Sequence, residues 1–236
     1  DECREMIKVT REAGVKLQIG FMRRFDESFG DAYARVRKGE IGAVNQVKSL
    51  THGPSVPREW MLDIAKSNGP LAEVSSHDID TVRWFGGADI TEVFAIGHNF
   101  RCRERADEYP DFYDTVSMLC RLDNGVHGAI DGAVSVGYGY DARTEVLGAD
   151  GIILVGDLRG TTTTAHKRDG EMSARIVKSW RNVFKDAYWN EDLSFIQTIV
   201  EDRIPAVTGE DGLQAVEVVN AGNESIRTGK PVTVGG

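Results

Sequence analysis

The sequence predicts an α+β fold: an open, mainly antiparallel sheet with helices packed on one face, preceded by one αβ element of a truncated α/β domain. Three observations carry this. Alternating apolar residues flank tight turns at Asn124-Gly125 and Asp150-Gly151, the pattern of a meander. Helical periodicity gathers before and after that meander and does not alternate with its strands. The chain also opens on a helix followed by a strand, a unit that cannot build a parallel sheet alone.

In order along the chain, Cys3, Met6, Ile7 and Thr10 share a helical face, and Gly14 supplies a stop. Val15, Leu17, Ile19 and Phe21 then alternate with polar or small neighbours, which predicts a strand. Asp26 is placed to cap a second helix that carries Phe29, Ala32, Tyr33 and Val36 and stops at Gly39. Val44 to Leu50 reads as a strand, broken by His52-Gly53-Pro54 and Pro57 into a loop reaching about Asn68. Gly69-Pro70 opens a helix predicted to run through Phe85, since proline at a first helical position loses no hydrogen bond.

The meander follows: Val116, Met118, Cys120 and Leu122 alternate, Val126 to Val136 returns, and Thr144 to Gly148 pairs with Ile152 to Val155. Ala174 to Trp180 is a further candidate strand. Two helices close the chain, one with Leu193, Ile196, Ile199 and Val200 as its apolar face, the other starting at a Thr208/Asp211 capping pattern and ending at Gly229.

Composition narrows the function. The chain has 236 residues, with 28 basic against 37 acidic side chains and a formal charge of -9. Such a surface disfavours phosphate backbones and anionic bilayers, so neither nucleic acid nor membrane is expected as a partner. Cys3, Cys102 and Cys120 are odd in number and widely spaced, which signals neither a disulfide framework nor a zinc knuckle and fits a reducing, cytoplasmic setting.

The chemistry-bearing pattern is Glu73, His77, Asp80 and Trp84, spaced i, i+4, i+7 and i+11, so that on a continuous helix they share one narrow arc. Three readings are open. The stripe is a solvated helix face, with Glu73 and His77 an ordinary pair contributing about 0.2–0.5 kcal/mol. Alternatively, the carboxylate orients the imidazole or the substrate and tunes a general base. Or the three oxygen and imidazole donors hold a metal ion.

GFMRRFD at Gly20 to Asp26, GPLAEVSSHDID at Gly69 to Asp80, and GYGYDARTEVLGADGII at Gly137 to Ile153 come in the order of one family. They resemble the glucose-fructose oxidoreductase / inositol dehydrogenase / MocA (Gfo/Idh/MocA) family, most closely its inositol 2-dehydrogenase branch, and the WRNVFKDAYWNEDLSFI stretch extends the likeness over nearly the whole chain. The resemblance implies a polyol- or sugar-oxidising enzyme that uses NAD or NADP. It implies that residues 1–21 are the remnant of a Rossmann dinucleotide-binding domain. Residues 22–236 would be the substrate-binding domain, whose sheet joins copies into a dimer or tetramer.

It also implies roles. His77 matches the general base, and Glu73 stands where the family usually has Asp, a departure that changes the carboxylate's reach. Asp80 matches a substrate-hydroxyl contact. Met22 and Arg23 match positions beside the nicotinamide and the substrate, and Tyr140 and His52 match pocket residues. His98, His127 and His166 match nothing and are expected to be structural or at the surface. No metal is implied.

The chain holds no G-x-G-x-x-G after a strand and no Glu-Lys-Pro segment, so by itself it is expected not to bind NAD(P) productively and to have negligible dehydrogenase activity. The competing expectation is a non-catalytic binding or regulatory module of the same fold.

Overall fold

A computed structural model describes residues 1–235. Helix α1 (Glu2–Glu12) leads into an extended segment and a single 3-10 turn, Met22–Phe25. Helix α2 (Glu27–Arg37) follows, and Asp26 caps it by accepting from the Ser28 and Phe29 N–H groups at 3.0 and 3.1 Å. Strand β1 (Val44–His52) precedes four helices: α3 (Glu59–Leu62), α4 (Ile64–Ser67), α5 (Gly69–Glu73) and α6 (Ser76–Gly86).

Five further strands continue the fold: β2 (Ile90–His98), β3 (Thr115–Leu122), β4 (His127–Ala133), β5 (Asp141–Gly148) and β6 (Ile152–Val155). A separate two-stranded ribbon, β7 (Arg159–His166) with β8 (Met172–Ile176), projects after them. Helices α7 (Trp180–Val183), α8 (Lys185–Val200) and α9 (Gly209–Thr228) and the short β9 (Val232–Thr233) complete the chain. Thr208 and Asp211 form the expected reciprocal cap of α9.

The main sheet has the order β6-β5-β1-β4-β3-β2-β9. Hairpins β3–β4 and β5–β6 are antiparallel, as the turns predicted. The centre departs from a pure meander, because β1 inserts between β4 and β5 and runs parallel to β4, with Val47 opposite Gly128 and Thr51 opposite Gly132. Alternation marks a strand and its faces but carries no direction, so this pairing is invisible to it.

Val47, Ser49 and Thr51 turn toward the helices and are buried, while Lys48 and its neighbours on the other face are exposed. Helices α6 and α9 cover the first face closely because small residues let them. A Cβ on Gly132 would lie 2.1 Å from Ser75 Oγ, and one on Gly222 of α9 would lie 2.7 Å from Leu71. The opposite face keeps Phe94, Ile96, Leu119 and Leu154 exposed over a concavity of about 700 Å³ that Leu50 also lines.

Four expectations need correcting. Residues 15–20 are extended but pair with no strand. Their one ladder-like bond is Ile19 N–H to the Val207 carbonyl, since no other strand lies alongside. The helix predicted over 69–85 is two helices. The N–H groups of Val74 and Ser75 both turn back onto the Pro70 carbonyl, and buried Ser75 redirects the chain into α6. Helix α8 is inverted: Leu193, Ile196, Ile199 and Val200 face outward, and the residues it buries are Ala187, Glu191 and Thr198. The strand expected over 174–180 is β8, which ends at Ile176, and Trp180 instead begins α7.

Candidate active site

The 3-10 turn at Met22–Phe25 sends both of its arginines inward. Arg23 is 1% exposed, and its Nη1 donates to Asp78 Oδ1 at 2.8 Å and to Ser49 Oγ at 3.1 Å. Its Nη2 donates to Thr51 Oγ1 at 2.5 Å, while Ser49 and Thr51 pass hydrogen bonds on to the two Asp78 oxygens at 2.6 and 2.7 Å. The ion pair, with both of its hydroxyl bridges, thus ties the turn, β1 and α6 together. Beside it, Arg24 grips Asp80 with two nitrogens at 3.0 and 2.5 Å and reaches Asp211 at 3.0 Å. Burial still holds the Asp80 carboxyl above its usual range, against the pull of Arg24.

Next to these ion-paired groups, the His77 side chain has no hydrogen-bond partner among the described residues. Its Nδ1 is buried without a hydrogen-bond partner, and its ring meets the Phe21 ring edge-to-face with centroids 5.9 Å apart. Burial and then the positive charge of Arg23 push its pKa down to about 3, so the imidazole is neutral at physiological pH. A neutral imidazole accepts a hydroxyl hydrogen bond, and the fixed cation behind it favours any negative charge that develops there.

Glu73 lies on α5 and not on the helix of His77, and its side chain is exposed. No hydrogen bond joins it to His77 among the described residues. Partial burial raises its pKa while Arg58 pulls it down, so Arg58 is its charged neighbour. Among the described residues no three His, Cys, Asp or Glu side chains are placed to hold a metal ion; in particular, Asp80 is turned to Arg24.

The other expected site residues divide between the two sheet faces. Tyr140 is buried edge-on to Phe184 at 6.4 Å, and burial raises its pKa to about 12 despite the nearby Arg23. Met22 is 1% exposed and belongs to the core, and Arg23 is as deeply buried, so neither side chain stands at the surface as the sequence led one to expect. They build the floor behind the site. His52 points to the opposite, uncovered face, where its Nδ1 meets the Tyr138 hydroxyl and its Nε2 lies 3.4 Å from Asp131. Tyr138 in turn donates to Asp141 at 3.2 Å, and Arg143 grips Asp141 at 2.7 and 2.9 Å. The reason is strand alternation: His52 stands in register with Asp141, one residue past the inward-facing Thr51.

Sequence reasoning missed Asp78, which anchors Arg23, and Glu191 on the inner face of α8. Asp78 adjoins His77 in the chain, but acids are common beside histidines. Glu191 was hidden by the isoleucines and leucine around it, which claimed the inward face for themselves.

Together these features define an α+β domain that presents a neutral histidine near a fixed, buried cation. Residues 34–234 match the Gfo/Idh/MocA domain described as "Oxidoreductase family, C-terminal alpha/beta domain", and the chain belongs to that family. It is 33% identical over 238 residues to the uncharacterized oxidoreductase YrbE of Bacillus subtilis, covering 99% of this chain and 67% of that one. It is 32% identical over 228 residues to the myo-inositol 2-dehydrogenase of Thermotoga maritima, covering 96% and 67%. The scyllo-inositol dehydrogenase of Lactobacillus casei, solved with NAD(H) and scyllo-inositol, superposes with a TM-score of 0.86 at 25% identity over 99% of this chain and 69% of that one. The chain thus spans about two thirds of the length of these relatives.

Proposed function

We propose that this chain supplies the substrate side of an NAD- or NADP-dependent dehydrogenase that oxidises a secondary hydroxyl of a polyol or sugar, of the inositol 2-dehydrogenase type. The observation that carries this is His77, a half-buried, neutral and unpartnered imidazole set one residue before the carboxylate that clamps Arg23. In this reading His77 accepts the proton of the substrate hydroxyl, and exposed Glu73 binds a second hydroxyl. Arg23 and Tyr140 shape and polarise the floor, and Asp80 acts by fixing Arg24.

The chain fits only part of such a cofactor. Among the described residues no helix opens on a G-x-G-x-x-G turn, and α2 is closed by its own Asp26 cap. The bound cofactor would supply the hydride acceptor, and Phe21 is the residue on this chain that packs beside the reacting corner. Residues 1–21 fit the last αβ element of the dinucleotide-binding domain. They are held to α9 by the Arg4–Glu217 pair and by Ile7 and Leu17 packing at Gly209.

The uncovered sheet face, with its exposed Leu119, Ile96 and Leu154, suits a second copy of the chain in a dimer or tetramer. No helix among the described residues is long and apolar enough to cross a membrane.

The test is His77→Gln in the full-length protein, assayed with myo-inositol and each nicotinamide cofactor. The reading expects kcat/KM to fall ~10²–10⁴-fold with the unfolding midpoint in place, the usual contribution of a general base. Unchanged kinetics would remove it.

A further inference from the structure

Helix α8 buries an acid where its sequence offers aliphatics. Glu191 is 7% exposed, yet its carboxylate has no hydrogen-bond or ion-pair partner among the described residues; only its backbone carbonyl is used, by Gln18 Nε2 at 3.2 Å. Its neighbours turn outward, with Trp189 and Leu193 exposed, so the helix has been set with the acid inside. Asn190 holds that setting by donating to the Phe25 carbonyl at 3.2 Å.

The carboxylate faces an opening. Oε1 lies 3.5 Å from where a Cβ on Gly20 would be, and Gly20, having no side chain, is exposed. The next residue, Phe21, carries the ring that meets His77. Adjacent Cα atoms are about 3.8 Å apart, so Glu191 and His77 approach the same dipeptide. Gly20-Phe21 is therefore flanked by two groups that each lack a partner, a carboxylate and a neutral imidazole.

We propose that Glu191 is a positioning residue of this site, its carboxylate accepting a hydrogen bond from a neutral O–H or N–H donor of a reactant lodged at the Gly20 notch. The donor is a polyol hydroxyl or a carboxamide N–H; the inference rests on the dehydrogenase reading for the identity of those reactants. Nothing cationic competes for the carboxylate. From the segments packed on it, Lys16 is paired with Asp202, Arg23 with Asp78 and Arg24 with Asp80. On its own helix the groups that face it are Tyr188 and Asp192. Burial first, and then the charge of Asp192, raise its pKa to about 7. A neutral donor that binds the carboxylate reverses part of that cost, so binding favours its ionised form.

The experiment uses the full-length protein and two ligands separately, myo-inositol and NAD, with affinities measured by calorimetry at about pH 5.5 and about pH 8.5, either side of the carboxyl's titration. One of the two is expected to bind more tightly at the higher pH. Glu191→Gln is expected to weaken that ligand ~10-fold and to flatten its pH dependence, as for loss of a hydrogen bond to a charged acceptor. The affected ligand identifies the donor as the polyol or the carboxamide. Gly20→Val, at an ordinary backbone angle, fills the notch against Glu191 Oε1 while leaving the acid in place, and is expected to weaken the same ligand. The carbon-13 titration of Glu191 in the unaltered protein, which needs no variant, is expected to move to lower pH when that ligand is added. Equal affinities and pH profiles in Glu191→Gln, with an unmoved carbon-13 titration, would overturn the proposal. Loss of turnover in His77→Gln would still stand in that case, whereas failure of His77→Gln would strike the dehydrogenase reading itself.

Discussion

The two faces of the sheet solve opposite problems with the same strand. On β1, Ser49 and Thr51 look into the helices and feed the buried Arg23–Asp78 network, while Leu50 and His52 look out from the other side. Among the described residues, His77 and Glu191 are titratable side chains of the covered side that make no hydrogen bond, and both stand beside one dipeptide. On the uncovered face large apolar residues stay exposed, among them Phe94, Ile96, Leu119 and Leu154.

The covered face breaks first and hardest at Asp78. Asp78→Ala strands the Arg23 guanidinium, 1% exposed, with only hydroxyl partners. Loss of one member of a buried pair costs about 3–5 kcal/mol, and denaturant unfolding should show it. Replacing Arg23 and Asp78 together by Met and Leu should recover much of that loss, because the penalty belongs to the unpaired charge. If Asp78→Ala unfolded like the unaltered protein, the network would be ornamental.

Gly132→Ala tests how tightly the same face is packed. The new Cβ would meet Ser75 Oγ at 2.1 Å and Val116 at 3.0 Å, with Ser75 fully buried at the junction of α5 and α6. Overpacking of this kind costs about 1–3 kcal/mol, read by thermal melts, and should also shift His77, two residues on.

The legibility of the fold follows from which signals are local. Caps at Asp26 and Thr208, the turn at Asn124-Gly125 and the strand faces were all readable, because each is decided within a few residues. The direction of β1 was not, nor the break after Glu73, because these depend on Gly132 and Ser75 meeting from distant parts of the chain. His77 was picked out by its spacing and its family likeness, and its ring makes no hydrogen bond among the described residues. Glu73 shared that spacing and fell on another helix. His52 failed for a simpler reason: one step of strand alternation sends it through the sheet.

A smaller effect separates the two unpartnered groups by their pH response. The folded pKa of His77 is lowered to about 3, so below its ordinary value near 6.5 the unfolded chain binds the extra proton and stability falls with acid. The folded pKa of Glu191 is raised to about 7 from 4.5, so the folded chain holds the extra proton in that window and stability falls as pH rises through it. The two trends oppose one another between about pH 4.5 and 6.5. His77→Gln should unmask the Glu191 slope, changing stability across that window by about 1–2 kcal/mol after solvent screening. Melts at stepped pH check the sign: a variant that still loses stability toward acid would assign the response elsewhere.

The uncovered face should respond in assembly and barely in folding. Leu119 is 62% exposed on β3, between Phe94 of β2 and Ala129 of β4, so a charge there meets water in an isolated chain. Leu119→Lys is therefore expected to alter the folding stability of the monomer by no more than about 0.5 kcal/mol. Buried between two copies, the same ammonium would lie against apolar neighbours, where an unpaired charge is costly enough to separate them. Light scattering should then show a shift toward monomer with an unchanged far-ultraviolet spectrum. An unaltered mass would move the interface off this face, and the exposed stripe Leu193, Ile196 and Val200 on α8 would be the next surface to charge.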